Sequence, residues 1–264
     1  METPPMKIID AHTHFPGHAF GCTPKSGRQL RREFKKEGID GAWIMTTDGL
    51  LNNPARHNDL LAEGVREHRD FFIPFCTVSP HDKLSDSLLE LERCSHKLKM
   101  RGLKLHPWLQ AFSLTHPNVV PILRKAGELE MPVLFHDGSP PYSAPLQIAY
   151  AAEQVPQTTI ILGHAGLDDL WEEAVLACRR HNNIYLCLCS LSAGHIREII
   201  RRCPDEKLLF GSDGGGMPNL VRHAIVKLQC GGASQKVLNK IYFENPRRLL
   251  PMNHDDKDEK HSVN

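Results

Sequence analysis

The chain has 264 residues, of which 41% are hydrophobic and 24% are charged, a composition typical of a soluble globular protein. Its formal net charge of +1 creates no basic field that would attract nucleic acid, and no run reaches the roughly 18 apolar residues of a membrane span. No basic stretch followed by an apolar one opens the sequence, so we expect a cytoplasmic protein that binds neither a membrane nor nucleic acid.

Eight short apolar runs follow one another along the chain, and polar stretches separate them. The runs are Lys7–Ala11, Gly41–Met45, Phe71–Val78, Gly102–Leu105, Pro132–Phe135, Thr159–Leu162, Ile184–Leu188 and Leu208–Phe210. The intervening segments have the apolar spacing of amphipathic helices, which favours a parallel sheet covered by helices. Eight such units predict a single (β/α)8 TIM-type barrel over residues 1–251, with a doubly wound open sheet as the alternative.

The first strand ends in His12-Thr13-His14. Because side chains alternate along a strand, Asp10, His12 and His14 are predicted to share one face, and the two imidazoles can chelate one metal ion. Asp10 lies deeper in the strand, so we expect it to orient neighbouring groups rather than to bind metal. A pair of solvent-facing histidines is the structural alternative.

Polar residues also end four later runs. They are Lys104 and His106 after the fourth run, His136 after the fifth, His164 after the sixth and Asp213 after the eighth. In a parallel barrel the carboxyl ends of all strands surround one mouth, so these side chains should converge on one pocket. Histidine and carboxylate ligands suit zinc, manganese or iron, and zinc is the first expectation.

Each of these residues also has an alternative interpretation in which its role is purely structural. In that case His136 would be a core histidine bonded to backbone, His164 would be part of a tight turn, and Asp213 would be a helix N-cap. Lys104 is then the partner of Asp10 or Asp213 in an ion pair.

The cysteines and the end of the chain carry no predicted chemistry. The eight cysteines are expected to be reduced, and Cys187-Leu188-Cys189 is interpreted as strand packing. Residues 252–264 are almost wholly polar and cannot bury enough apolar surface to order themselves, so we predict a disordered tail.

The order of the strand-end residues resembles the pattern of the amidohydrolase superfamily: His-x-His, then His, His and Asp. Gly163-His164-Ala165-Gly166 and Phe210-Gly211-Ser212-Asp213 are most similar to the amidohydrolase-related branch that includes the aminocarboxymuconate-semialdehyde decarboxylase type. The segment Tyr242–Leu250 resembles the Asn-containing closing helix of these enzymes. The resemblance covers nearly the whole chain and implies a barrel with a metal site at the carboxyl ends of its strands.

The resemblance also implies a role for each matched residue. His12, His14 and His136 would bind one divalent metal ion, with Asp213 as a further ligand. The ion would lower the pKa of a bound water from about 15.7 to near 7. Asp213 would take the proton of that water and pass it to the leaving group, while His164 orients the water or stabilises the developing oxyanion.

The fourth strand departs from the one-metal pattern. Gly102-Leu103-Lys104-Leu105-His106 resembles the corresponding strand of urease, in which a carboxylated lysine bridges two metal ions. By this resemblance His106 contacts the substrate, and Lys104 either contacts it too or is carboxylated and brings in a second ion. One ion is the expectation.

We expect a metal-dependent hydrolase that cleaves a C–N or C–O bond in a small molecule such as an amide, cyclic amide or lactone. The first alternative is a non-oxidative decarboxylase of an aromatic or unsaturated acid. A carboxylate-binding arginine at the mouth would favour it, and Arg28 and Arg31 are the nearest candidates. The others are a metal-dependent deoxyribonuclease, whose branch usually has Glu in place of Lys104, and a non-catalytic binding protein on the same barrel.

The expected partner is a small-molecule substrate, and a homodimer is left open. Four large side chains that follow strand ends either line the substrate pocket or pack within loops. They are Trp108, Phe112, Tyr142 and Met217.

Overall fold

The computed structural model of the protein describes residues 6–215 and 217–252, so the predicted tail, apart from Met252, lies outside the described residues. Eight strands overlap the eight predicted runs. They are β1 (Ile9–Phe15), β2 (Gly41–Thr46), β3 (Phe72–Cys76), β4 (Gly102–Leu105), β5 (Val133–Phe135), β6 (Ile160–Leu162), β7 (Ile184–Cys187) and β8 (Leu208–Leu209).

Helices connect the strands and cover the sheet. They are α1 (Gly27–Lys36), α2 (Asp48–Leu51), α3 (Pro54–Gly64), α4 (Leu84–His96), α5 (Val119–Glu128), α6 (Pro145–Glu153), α7 (Leu167–Arg180), α8 (Ala193–Arg202), α9 (Pro218–Cys230), α10 (Gln235–Asn239) and α11 (Asn245–Leu249), with a π-helical segment at Lys240–Glu244. In the described part of the chain, no helix combines the length and the apolar composition needed to cross a membrane.

All eight strands are parallel and are paired in sequence order from β1 to β8. Two hydrogen bonds join the first and last strands at their carboxyl ends. The Ala11 N–H donates to the carbonyl of Phe210, and the Asp213 N–H donates to that of His12, each over 2.8 Å. The sheet therefore closes into a (β/α)8 barrel, as predicted, and an open doubly wound sheet is excluded.

Alternation along the strands separates the interior of the barrel from the layer under the helices. Trp43 of β2, Leu134 of β5 and Leu209 of β8 pack in the interior cluster, whereas their strand neighbours belong to the outer core. Continuing the same alternation places His136 and Asp213 on the interior side of their strand ends. In β4, Lys104 is interior because Leu103 and Leu105 pack outward.

Strand β1 departs from the alternation predicted for it. Its pairing with β2 shifts register between Asp10 and Thr13. Ile9 and Ala11, rather than Asp10, pack in the interior cluster. The shift means that β1 has one extra residue relative to β2, a β-bulge, and a bulge changes the direction of the side chains that follow it. Ala11 and His12 therefore both face the interior, although they are consecutive residues. The prediction that Asp10 shares one face with both histidines is therefore wrong.

The closing segment supports the last strand. Asn245 at the start of α11 is buried, and its Nδ2 donates to the carbonyls of Asp205 and Leu208 over 2.7 and 2.8 Å. Because β8 contains only two residues, these bonds fix the position of the strand that carries Asp213.

Candidate metal centre

A cavity of about 310 Å³ opens at the carboxyl ends of the strands. The side chains that line it include all seven of the predicted site residues. These are His12, His14, Lys104, His106, His136, His164 and Asp213. Residues up to 201 positions apart in sequence thus meet at one mouth, the convergence that a parallel barrel requires. The chemical role of each residue stays a prediction.

Three of the predicted ligands form a tight group. The ligand atoms of His12, His14 and Asp213 all lie within 4.8 Å of one another. Asp213 Oδ1 is 2.8 Å from His14 Nε2 and 3.7 Å from His12 Nε2. Two imidazole nitrogens and one carboxylate oxygen form a donor set that suits Zn²⁺, Mn²⁺ or Fe²⁺.

The outer nitrogens of the two histidines already have partners. His12 Nδ1 lies 2.9 Å from the Gly163 carbonyl, which can only accept, so Nδ1 carries the hydrogen and Nε2 has a free lone pair. His14 Nδ1 lies 3.1 Å from the Thr47 hydroxyl. Metal-binding histidines are usually oriented in this way, by a hydrogen bond at the nitrogen that faces away from the metal. The residues present therefore fit a divalent ion.

His136, the fourth predicted ligand, is not part of this tight group. Its ring lines the cavity, but its Nε2 is hydrogen-bonded to the Ser139 hydroxyl over 2.8 Å. The ring stacks on that of His106, with centroids 3.8 Å apart and planes 10° apart. His136 thus shares the cavity with the cluster, and its interpretation as a core histidine bonded to backbone is not supported.

Asp213 adopts a left-handed backbone conformation, with φ of 55°, and its carboxylate points to the histidines. Burial alone would raise the pKa of Asp213, but the hydrogen bond from His14 and the electrostatic interaction with the neighbouring histidines outweigh burial and hold that pKa well below its usual range. The carboxylate is therefore ionised at neutral pH. Its interpretation as a helix N-cap is wrong, because α9 begins at Pro218 with no side-chain cap.

Lys104 is buried at the floor of the cavity, and its ammonium lies 3.1 Å from His12 Nε2. Burial lowers the pKa of Lys104 to about 8, so the group keeps its proton at pH 7. The predicted ion pair with Asp10 or Asp213 is not formed: within the described residues, no carboxylate oxygen lies within 4.0 Å of this nitrogen. The ammonium is instead hydrogen-bonded to His12 Nε2, the atom that would bind a metal ion.

His106 is held as a neutral hydrogen-bond donor. Its Nδ1 accepts the N–H of Leu109 over 3.3 Å, which leaves the ring hydrogen on Nε2. Burial, together with the neighbouring His136 and Lys104, holds the pKa of His106 well below its usual range. An uncharged N–H at the cavity wall can bind a substrate oxygen, which is the role predicted for His106.

A second set of buried polar side chains lies outside the cavity lining and is hydrogen-bonded to the strand-end segments, and we call it the supporting layer: Asp10, Asp137, Cys189 and Ser212. Asp137 accepts the backbone N–H groups of His164 and Gly166, each over 2.6 Å. No role was predicted for Asp137 from the sequence. Its position between His136 and Gly138 at the end of β5 could have indicated a structural carboxylate.

Asp10 orients its neighbours, as predicted. It accepts the N–H of His12 over 3.1 Å, the N–H of Ser212 over 3.0 Å and the Ser212 hydroxyl over 2.5 Å. Burial raises the pKa of Asp10 to about 7 and that of Asp137 to about 6. Both side chains hold their neighbouring segments through these hydrogen bonds, and neither is among the residues that line the cavity.

Cys189 was interpreted as strand packing, and that interpretation is incomplete. The residue is fully buried, but its Sγ lies 2.8 Å from the Gly163 carbonyl and 3.1 Å from His164 Nδ1. It also lies 3.4 Å from His12 Nδ1. The thiol thus contacts two of the predicted site residues from below.

The mouth of the cavity is largely apolar. Trp108 and Met217 line it, as does Phe20, and all three are exposed to solvent. Phe112 instead packs in the core, and Tyr142 is not among the lining residues. No arginine lines the cavity in the part of the chain that the structure describes, so neither Arg28 nor Arg31 provides a carboxylate site; Arg31 pairs with Asp70 at 2.5 Å.

A parallel barrel whose strand ends carry a histidine and aspartate cluster defines a class of metal-dependent enzymes. The profile of the amidohydrolase family matches residues 9–252, and the chain belongs to this family. The resemblance read from the sequence is thereby confirmed. Among curated proteins, none matches this sequence.

Several solved structures share the fold. The 2,6-dihydroxybenzoate decarboxylase from Rhizobium is 16% identical, with a TM-score of 0.73 over 92% of this chain and 98% of that one. The 5-carboxyvanillate decarboxylase from Sphingomonas paucimobilis is 14% identical, with a TM-score of 0.74 over 94% and 100%. A dihydroxybenzoic acid decarboxylase from Polaromonas with bound manganese and the inhibitor 2-nitroresorcinol is 17% identical, with a TM-score of 0.71 over 94% and 98%. At these identities the likeness concerns the fold alone.

Proposed function

We propose that this protein is a metal-dependent lyase that removes the carboxylate of a small, single-ring aromatic acid as CO₂. The observation that carries the proposal is the cavity itself, which has mostly apolar walls and, at its base, the candidate metal ligands His12, His14 and Asp213. Its volume of about 310 Å³ is at the lower end of the range for small-molecule pockets, about 300 to 1,000 Å³. The proposal differs from the hydrolase expected from the sequence and adopts its first alternative.

The apolar walls suit an aromatic ring. The apolar side chains among the lining residues include those of Phe20, Leu50, Trp108, Leu109 and Met217. Such walls exclude water from a bound carboxylate, which removes hydration that favours the charged acid over CO₂. The similarity in fold to three aromatic-acid decarboxylases agrees with this substrate class.

His12, His14 and Asp213 would hold the divalent ion, with His136 beside them on the wall. The bound ion would supply a positive charge that binds and polarises substrate oxygen atoms. We propose zinc or manganese, because the donor set accommodates both. Since no arginine lines the described cavity, the ammonium of Lys104 is the protein's own cation for the substrate carboxylate.

Decarboxylation breaks the bond between the ring carbon and the carboxylate, and the ring carbon must then gain one proton. Asp213 has the only carboxyl group among the described lining residues, so we assign it the task of taking one proton from solvent and delivering it to the ring carbon, where a C–H bond replaces the bond to the carboxylate. His106 would orient the ring by donating its Nε2 hydrogen to a ring hydroxyl.

A second candidate is hydrolysis of a lactone or amide, and the presence of both Asp213 and His164 in the cavity wall favours it. The Asp213 carboxylate, which lies 2.8 Å from His14 Nε2, can accept a proton from an attacking water. His164, which also lines the cavity, would orient that water.

Product analysis separates the two reactions. The protein, reconstituted with Zn²⁺ or Mn²⁺, is incubated with ortho-hydroxylated benzoates and, separately, with lactones and amides. We expect CO₂ and the decarboxylated phenol from the first group and no acid release from the second. Acid release without CO₂ would instead establish the hydrolase. If the loaded protein turns over neither group, both proposals fail; single-stranded DNA in the same assay tests the deoxyribonuclease alternative.

A further inference from the structure

Cys189 connects the two histidines beneath the cavity. It follows β7 on the interior side of the barrel, and the carbonyl of Gly163 lies between its thiol and His12. A glycine is required at position 163, because a Cβ there would lie 2.4 Å from the Phe135 carbonyl oxygen. The Gly163 carbonyl can therefore approach both donors closely.

The directions of these hydrogen bonds follow from the acceptor. A carbonyl oxygen cannot donate, so the Cys189 thiol hydrogen points to Gly163 over the 2.8 Å contact. The thiol has only one hydrogen, so its sulfur accepts in the 3.1 Å contact with His164 Nδ1. His164 Nδ1 must then carry a hydrogen, and its Nε2 has a free lone pair.

We propose that Cys189 is a positioning residue that holds His164 in the tautomer protonated at Nδ1, so that Nε2 presents a lone pair to the cavity. The sequence left two roles open for His164, and this tautomer decides between them. An unprotonated Nε2 can accept a proton or bind a metal ion, but it cannot donate a hydrogen bond to an oxyanion. The catalytic consequence rests on the proposed function, whereas the tautomer itself does not.

The tautomer can be measured directly. Long-range ¹H–¹⁵N correlation spectra of the metal-free protein, labelled with ¹⁵N-histidine, report which ring nitrogen carries the hydrogen. The His164→Gln variant identifies the His164 signals by their absence. We expect the hydrogen of His164 on Nδ1 in the wild type. A hydrogen on Nε2 in the wild type overturns the proposal without any Cys189 variant.

Two substitutions separate positioning from packing. Cys189→Ser keeps a donor and acceptor group and should keep the Nδ1 tautomer, whereas Cys189→Ala should release His164 to a mixture of tautomers. Cys187→Ala is the matched control, since Cys187 is a buried cysteine at the end of β7, two residues before Cys189, and belongs to the same interior cluster. If Cys189→Ala leaves the tautomer unchanged, the thiol only fills space and the proposal is wrong.

Activity provides the second measurement. For a substrate found in the product assay, Cys189→Ala should lower kcat about tenfold with KM nearly unchanged, and Cys189→Ser should recover most of the loss. Equal losses in the Ala, Ser and Cys187→Ala variants would contradict positioning. A shifted tautomer in a protein that turns over no substrate would refute the proposed function but leave the role of Cys189 intact.

Discussion

The cavity wall and the supporting layer both contain aspartates, but these aspartates bind different partners. Asp213 on the wall is bonded to an imidazole, whereas Asp10 and Asp137 in the supporting layer accept backbone N–H groups. The surroundings also move their pKa values in opposite directions, below the usual range for Asp213 and above it for the other two. From this difference we infer that the carboxylate beside an imidazole is available for chemistry, whereas the carboxylates that accept backbone amides maintain the scaffold.

The largest expected effect is on activity and concerns the wall. Asp213→Asn keeps the shape of the side chain but removes its charge and its ability to carry a proton. We expect kcat to fall by at least about 100-fold, measured as the initial rate on a substrate from the product assay. Asp168→Asn is the control, because Asp168 is bonded to His195 outside the cavity. A rate within about tenfold of the wild type would remove Asp213 from the mechanism.

The corresponding change in the supporting layer should affect stability. Asp137→Ala leaves the buried N–H groups of His164 and Gly166 without their acceptor, at a cost of about 2–4 kcal/mol in the free energy of unfolding. Urea denaturation measures this cost. Glu198→Ala, which removes an exposed partner of Arg201, should leave the midpoint unchanged. Equal midpoints for the Asp137 and Glu198 variants would contradict the structural role of this layer.

Bound metal should stabilise the fold through the wall residues. At a free metal concentration of 100 times Kd, the ion should add about 2.7 kcal/mol to the free energy of unfolding. Chelation should remove this gain from the wild type and have no effect on His14→Ala. A gain that survives in His14→Ala would mean that the ion binds elsewhere.

The next prediction concerns Lys104, which lies at the floor of the cavity. Its ammonium is hydrogen-bonded to His12 Nε2, so this bond must break when an ion binds there. Lys104→Met should therefore tighten metal binding about tenfold, measured by calorimetry, and the wild type should bind one ion per chain with or without added bicarbonate. Loss of metal from the Lys104→Met variant, or a second ion bound by the wild type in bicarbonate, would instead indicate a carboxylated lysine that bridges two ions.

The smallest effect is expected at the mouth of the cavity. Trp108→Leu removes apolar contact area from the substrate but not from the reacting atoms, so KM should rise about fivefold with kcat nearly unchanged. Tyr142→Leu is the control, since Tyr142 follows a strand end but does not line the cavity. A fall in kcat without a change in KM would give Trp108 a different role.

The barrel and the convergence of its strand ends could be predicted from the sequence, because both follow from local patterns. Eight apolar runs predict the strands, and the parallel arrangement predicts that Lys104 and Asp213 meet at one mouth. The alternation rule failed in β1, where an irregularity after Asp10 changes which side chains face inward. Such an irregularity depends on the pairing of β1 with β2, which the sequence of β1 alone does not contain.

The partners of the buried polar groups could not be predicted, because they come from strands far apart in sequence. Cys189 contacts His12 across 177 positions, so its spacing from Cys187 carried no information about that contact. The stacking of His136 on His106 likewise joins two strand ends and separates His136 from the three-residue cluster. Candidate ligands could be named from the sequence, whereas the orientation of their rings required the packed structure.

The central claim is that His12, His14 and Asp213 form a metal centre, and metal analysis tests it most directly. Inductively coupled plasma mass spectrometry should find one divalent ion per chain in the wild type and none in His12→Ala. His18→Ala, which changes a histidine outside the lining of the cavity, should retain the ion. A wild-type protein that cannot be loaded with a divalent ion, or a His12→Ala variant that keeps its full metal content, would contradict the account.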